Sequence, residues 1–319
     1  MTDYDAIVIG AGNAGLTAAA TLQRSGARTL LVERHNVPGG CATSYRRGRF
    51  EFEVALHQLS GIGSEGQAFS LRGLFDDLDI SDRLEFVQEH DLYRIAVPGA
   101  LDVTLPADWE AAVDTLEVHF PGNRDRVRKF FDLVKVVTFW RMTASRARSA
   151  DDIDPVLFRY ALRPLQEVLD EFFDDEGIKT ALGVYWTYLG QPPSVLPFQD
   201  LAVTLFAYLE FKPWHVRGGS QAMSTAILDA FLQAGGEVRF NTAVERVLTR
   251  GGAVCGVRLK FWSYVGQEES SCVSTALRTL PRPSRGSRVL RSERQVYETS
   301  WPGPFDLVWS GGRCECTGT

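Results

Sequence analysis

"DYDAIVIGAGNAGLTAAATLQRSGARTLLVER" runs from Asp3 to Arg34, and the order of its residue types decides the fold class. Ala6 to Ile9 is a short apolar run of the kind that fills a parallel strand buried on both faces. Gly10-x-Gly12-x-x-Gly15 follows at once. Leu16 to Arg24 predicts an alanine-rich helix ended by Gly26, and Ala27 to Val32 predicts a second apolar strand that closes on Glu33. Gly10 permits the tight turn, Gly12 lets backbone approach a pyrophosphate, and Gly15 allows helix and strand to pack closely. The N–H groups of Asn13, Ala14 and Gly15 at the helix start attract phosphate. Glu33 stands at the usual spacing, about 20 residues on, to accept hydrogen bonds from a ribose 2′-OH, and its charge disfavours a 2′-phosphate. Strand, glycine turn, helix, strand and acid in this order define a Rossmann-like α/β dinucleotide-binding fold. They leave FAD and NAD both open.

The rest of the composition sets bounds. With 319 residues the chain can form two domains with a sizeable core. A formal net charge of -6 gives no reason to expect a nucleic-acid partner. Cys41, Cys255, Cys272, Cys314 and Cys316 follow no regular spacing, so neither a disulfide framework nor a metal site is expected. The N-terminus carries no basic and apolar leader, and no run approaches the ~18 apolar residues of a membrane span. A cytoplasmic protein is the expectation, with peripheral membrane contact through residues 195–214 left open.

"ERHNVPGGCATS" (Glu33 to Ser44) places a Pro-Gly-Gly turn just after the second strand. Here the sequence resembles the FAD-dependent amine oxidase and phytoene desaturase superfamily, whose signature continues from the ribose acid and an arginine into a Gly-Gly loop. The resemblance implies FAD, with Gly39 and Gly40 passing close to it and Arg34, Cys41 and Ser44 lining it. "RFEFEVALHQLSGIG" (Arg49 to Gly63) is most similar to the branch holding carotenoid desaturases, carotenoid isomerases and retinol saturases. That branch often has an aromatic-x-aromatic-Asp-x-Gly-x-His pattern, matched here by Phe50, Phe52, Glu53 and His57. Glu53 stands where Asp is usual, and Ala55 where Gly is usual. Glu53 and His57 are the candidate acid–base residues.

The middle of the chain reads as a second, α+β domain. Asp91 to Pro106 predicts a hairpin about Pro98 to Ala100. Asp108 and Asn123 are expected to cap helices, and Pro164 marks a kink or boundary between Pro155 and Phe173. Gly190 to Ser194 and Trp214 to Gln221 are similar to segments that surround the substrate channel in the family. Tyr185, Trp186, Tyr188, Phe206 and Tyr208 are accordingly candidates to line an apolar tunnel, or else simple core aromatics. Ser220 to Gln233 predicts an amphipathic helix, Glu237 to Phe240 a strand, and Asn241 to Leu259 a hairpin about Gly251 and Gly252. In the superfamily a valine of this last strand pairs its backbone with the adenine edge, and Val244 matches it.

The resemblance stops after Lys260. Phe261 to Thr319 is rich in Ser and Arg, holds "RTLPRPSRGSR", and shows no sustained apolar period. Such a stretch has little with which to stabilise a packed layer, and a shifted reading frame or a divergent short module would account for it. The expected organisation is residues 1–90 as the first part of an FAD-binding domain and 91–215 as an inserted substrate domain. Residues 216–260 would return to the FAD-binding domain, and 261–319 would form an atypical tail in a truncated fold. The resemblance implies an FAD-dependent oxidoreductase acting on a hydrophobic polyene, by desaturation, saturation or isomerisation. A flavin amine oxidase, an NAD-linked dehydrogenase and an inactive remnant are the alternatives. Oligomeric state is not readable.

Overall fold

The computed structural model describes residues 4–63, 70–144, 149, 152–262 and 268–274. The chain begins with β1 (Ala6–Ile9), α1 (Asn13–Arg24), β2 (Thr29–Val32), β3 (Ser44–Arg47), β4 (Phe50–Glu53) and α2 (Ser70–Asp77). It continues with β5 (Phe86–Gln88), β6 (Asp91–Val97), β7 (Leu101–Pro106), α3 (Trp109–His119), α4 (Arg124–Thr143), α5 (Pro155–Tyr160) and α6 (Leu165–Phe172). Then come α7 (Glu176–Gly183), α8 (Trp186–Leu189), α9 (Phe198–Phe211) and β8 (Trp214–Val216). α10 (Gly219–Gln233), β9 (Glu237–Arg239), β10 (Thr242–Arg250), β11 (Ala253–Trp262) and β12 (Glu268–Ser274) complete it. Two compact units result. One gathers the chain up to His57, Gly73–Glu85 and the chain from Val216 onward; the other comprises Gln58–Arg72 and Phe86–His215.

The first unit is built on a parallel sheet of order β1-β2-β9. All four residues of β2 are buried, which is what its unbroken apolar run encodes. Gly15 is where helix meets turn most tightly: a Cβ there would fall 1.9 Å from the carbonyl oxygen of Gly10. A second, antiparallel sheet has the order β10-β11-β12. Its first turn uses Gly251 and Gly252 at φ +60° and +82°, the positive values that a two-residue hairpin turn demands. Val257 and Leu259 of β11 pack with Tyr4, Leu30 and Val32, joining the two sheets in one core. The sequence offered no element past Lys260, and the structure corrects this. β11 continues to Trp262, and Glu268–Ser274 pairs along it from Trp262 back to Gly256. A ladder needs only backbone donors and acceptors, so a polar segment can extend it without an apolar signal. Residues 275–319, on which most of the frame-shift expectation rests, lie outside the described residues, as do Cys314 and Cys316.

The second unit is mainly helical. Phe130 of α4 is fully buried at its centre, with edge contacts to Phe172, Phe173 and Phe198 at 5.6–5.8 Å between ring centroids. Asp108 caps α3 as predicted, accepting from the N–H groups of Glu110 and Ala111. Asn123 does not cap α4 through its side chain, which donates to the carbonyl of Phe120 instead. Glu117 takes the task from the preceding helix, accepting from the N–H groups of Gly122, Asn123 and Arg124 at 2.8, 3.0 and 2.7 Å. A longer acidic side chain one helix away outcompeted the local cap. Pro164 is a boundary rather than a kink, standing at the N-cap of α6.

Candidate functional site

The glycine turn between β1 and α1 carries the site. α1 starts at N-cap Gly12 with no side-chain cap and no acidic residue in its first turn. Its leading N–H groups therefore face outward without a competing carboxylate, as anion binding requires. A Cβ at Gly10 would meet nothing within 4 Å, and one at Gly12 only the Gly39 carbonyl at 4.0 Å. There is open space along this backbone that only glycine leaves free.

The second glycine loop lies directly on the first. The Gly39 N–H donates to the Ala11 carbonyl at 2.7 Å, and Gly12 and Gly39 form a parallel bridge. Gly40 approaches so closely that a Cβ would sit 3.2 Å from Gly12 Cα. Two motifs separated in the chain are thus one backbone surface.

Glu33 is held from both sides. One carboxylate oxygen accepts from the Ala11 N–H at 2.6 Å and the other from the His35 N–H at 2.8 Å. A carboxylate offers about four lone-pair sites, so acceptor capacity remains for a ribose. β10 starts beside it, the N–H of Thr242 donating to the Glu33 carbonyl at 2.9 Å. Backbone groups of a strand alternate in direction, so those of Val244 point to the same side as those of Thr242, away from β11. Val244 faces Leu259 across the ladder, and its outward backbone edge lies one alternation from the Glu33 contact. Arg34, Cys41 and Ala14 are exposed around this surface. The residues fit an adenine dinucleotide.

Ser44 and Glu53 meet at the start of α10. The Glu53 carboxylate accepts from Ser44 Oγ at 2.8 Å, from the Ser220 N–H at 2.9 Å, and from Ser220 Oγ. It is the N-terminal cap of α10, delivered from strand β4. A Cβ at Gly219 would lie 1.8 Å from its Oε1, which explains the glycine at that position. Both oxygens of Glu53 are engaged by these donors, an arrangement suited to anchoring the start of α10. Ser44 faces the same helix. His57 is exposed in the loop after β4.

The aromatic candidates separate into two groups. Tyr185 and Tyr208 are buried and stacked at 5.6 Å, and Phe206 packs near Trp109 and Phe211. Tyr185 and Tyr208 belong to the core of the second unit, and Phe206 is half-buried against it. Trp186 and Tyr188 are 39% and 44% exposed, Tyr188 in edge contact with Tyr185. Around the buried pair, Gln58 is fully engaged: Nε2 donates to Glu89 and to the Leu92 carbonyl, and Oε1 accepts from Tyr185. Burial pushes the phenols of Tyr93, Tyr185 and Tyr208 above their ordinary range. The apolar side chains of 195–214 proposed for membrane contact are mostly used inside, with Phe198, Leu201, Ala202, Leu205 and Leu209 buried. Among the described residues no helix is long and apolar enough to cross a membrane, and no cluster of three or more His, Cys, Asp or Glu could hold a metal.

Sequence reasoning missed Ser220 and Ser224. Both are buried on α10, and Ser224 Oγ lies 3.2 Å from Asn13 Oδ1 and 2.9 Å from the Ala42 carbonyl. Their spacing of four residues on a helix that otherwise turns apolar groups inward was the available signal.

Fold and glycine turn together define a Rossmann-like α/β architecture, and residues 8–78 match the model of the NAD(P)-binding Rossmann-like domain. The chain is similar to all-trans-retinol 13,14-reductase of Homo sapiens, 26% identical over 80% of this chain and 44% of that protein. It is also similar to phytoene dehydrogenase of Streptomyces griseus, 30% identical over 79% of this chain and 50% of that one. Among solved structures, an oxidoreductase from Methanosarcina mazei superposes with a TM-score of 0.56 at 16% identity, covering 83% of this chain and 57% of that one. These relatives bear out the resemblance to the carotenoid and retinoid branch. The chain spans about half the length of the relatives it matches.

Proposed function

We propose that the first unit binds FAD and that the protein is an FAD-dependent oxidoreductase acting on a hydrophobic polyene of carotenoid or retinoid type. The observation that carries this reading is the seating of the Gly39–Gly40 loop on the Ala11–Gly12 backbone. A simple NAD site needs only the first glycine turn; a second glycine loop widens the surface that can approach a larger dinucleotide. The relatives, named as a retinol reductase and a phytoene dehydrogenase, supply the substrate class.

In this reading the N–H groups of Asn13, Ala14 and Gly15 receive the pyrophosphate, and Glu33 accepts from the ribose. The outer backbone edge of Val244 meets the adenine, while Gly39, Gly40, Arg34 and Cys41 border the rest. Bound FAD supplies hydride transfer chemistry. The residues of this chain bind and aim it. Trp186 and Tyr188 are the partly exposed members of the aromatic set that an apolar substrate would meet, and a lipid of this class would reach the protein from a bilayer surface.

The test is reconstitution of the purified chain with FAD, followed by its visible spectrum and by turnover of retinoid and carotenoid substrates. Bound flavin with polyene turnover supports the reading. A colourless protein that binds NAD, or bound flavin that releases peroxide from amines, would replace it.

A further inference from the structure

We propose that Ser224 is a positioning residue for the dinucleotide loop, tying the start of α1 to the 39–42 loop from a helix that Glu53 holds in place. The proposal rests on the dinucleotide reading of the glycine surface given above. Ser224 is fully buried and stands 211 residues from Asn13 and 182 from Ala42 in the chain. Its Oγ lies 3.2 Å from the Asn13 amide oxygen and 2.9 Å from the Ala42 carbonyl oxygen. A hydroxyl carries one proton and cannot donate to both. Turning the Asn13 amide end for end satisfies every group: Asn13 Nδ2 donates to Ser224 Oγ, and Ser224 Oγ donates to Ala42. A buried chain of this kind is costly to break.

The same oxygen limits the loop sterically. A Cβ on Gly39 would lie 2.9 Å from Ser224 Oγ and 2.4 Å from the Ala42 carbonyl. Gly39 in turn bonds Ala11. Asn13, Ala42 and Gly39 are thus referred to one atom of α10, whose first turn is fixed by Glu53 through Ser220. The dinucleotide surface is set from outside its own βαβ unit.

The experiment compares Ser224→Ala, Asn13→Ala and the double variant in the full chain. Two quantities are read: FAD affinity from quenching of flavin fluorescence, and hydrogen exchange of the Gly39 amide in the protein without FAD. Each single change is expected to weaken FAD about tenfold, the scale of one buried hydrogen bond, and the double variant no more than the weaker single. Exchange at Gly39 is expected to quicken in Ser224→Ala while that at Phe231, later in α10, keeps its rate. Additive losses of affinity, or unchanged exchange at Gly39, would overturn the proposal. Should the unaltered chain bind no FAD, the cofactor reading falls and the exchange measurement alone decides the tie. Should Ser224→Ala not fold, Asn13→Ala carries the same two measurements, and unchanged Gly39 exchange there overturns it.

Discussion

The amide of Gly39 donates to the carbonyl oxygen of Ala11 at 2.7 Å, and this bond joins two glycine loops into one surface. It makes a graded prediction for the two neighbouring glycines. Gly39 has φ +120°, and its absent Cβ would sit 2.4 Å from backbone oxygen. Gly40 has φ +61° and would meet Gly12 Cα at 3.2 Å. A left-handed conformation costs an L-residue about 1–2 kcal/mol. A backbone clash adds to that, so Gly39→Ala is expected to cost about 3 kcal/mol or more and Gly40→Ala about 1–2 kcal/mol. Denaturant unfolding of both variants checks the order. Equal costs would show that the loop shifts freely and is not seated on Ala11.

Glu53 distinguishes anchoring from catalysis. As a cap it satisfies Ser44, the Ser220 amide and the Ser220 hydroxyl. Loss of a helix cap and a charged hydrogen bond amounts to about 2 kcal/mol, expected for Glu53→Ala. Glu53→Gln keeps one acceptor oxygen and is expected to retain at least half of that stability. A catalytic carboxylate would give the reverse pattern, with Glu53→Gln folded at full stability and turnover abolished. Thermal melting and single-turnover flavin reduction on the same two variants separate the cases.

Acid should loosen the second unit at an identifiable point. Glu117 lies well below the usual carboxylate range because the Gly122, Arg124 and Asn123 amides donate to its ionised form. A depressed folded pKa means that this contribution is fully present above the unfolded value, about 4.3, and is lost as pH falls through the folded value. Stability of the unaltered protein is therefore expected to decline below about pH 4. Glu117→Gln should start lower and decline less steeply. Melting temperature followed from pH 6 to pH 3 tests this, and parallel curves for the two proteins would contradict it.

Local signals made half of the site readable. Gly10, Gly12, Gly15 and Glu33 act through the turn, helix and strand that contain them, so spacing alone announced them. Gly39 and Gly40 announced a turn, but not that it would land on Ala11. The links from Glu53 to Ser220 and from Ser224 to Asn13 could not be found in this way, because they span 167 and 211 residues. Contacts at that range come from how α10 returns to α1, and no local period records it. The same limit left two readings open for Tyr185 and Tyr208. An aromatic-rich stretch reads alike whether its rings line a tunnel or fill a core, and the Gln58 hydrogen bond that distinguishes them spans 127 residues. β12 escaped for the opposite reason: backbone pairing left no mark on its side chains.

Those two tyrosines give the last prediction. Desolvation raises the Tyr93, Tyr185 and Tyr208 phenols above their ordinary value of about 10. Of the nine tyrosines, these three are expected to stay protonated at a pH where the exposed ones have ionised, as ultraviolet difference absorbance will show. The unfolded chain releases those protons near pH 10 while the folded chain keeps them. Above that pH the folded state binds more protons, and stability must fall as pH rises. Tyr185→Phe removes one such proton and should make the alkaline decline shallower, at the cost of leaving Gln58 Oε1 without its donor. Near neutral pH the variant is then expected to be less stable by about 1 kcal/mol, the net worth of a hydrogen bond. The two proteins' stability curves should consequently converge as pH rises. Curves that keep a constant separation from pH 7 to pH 11 would mean that Tyr185 ionises freely and is not part of the buried core.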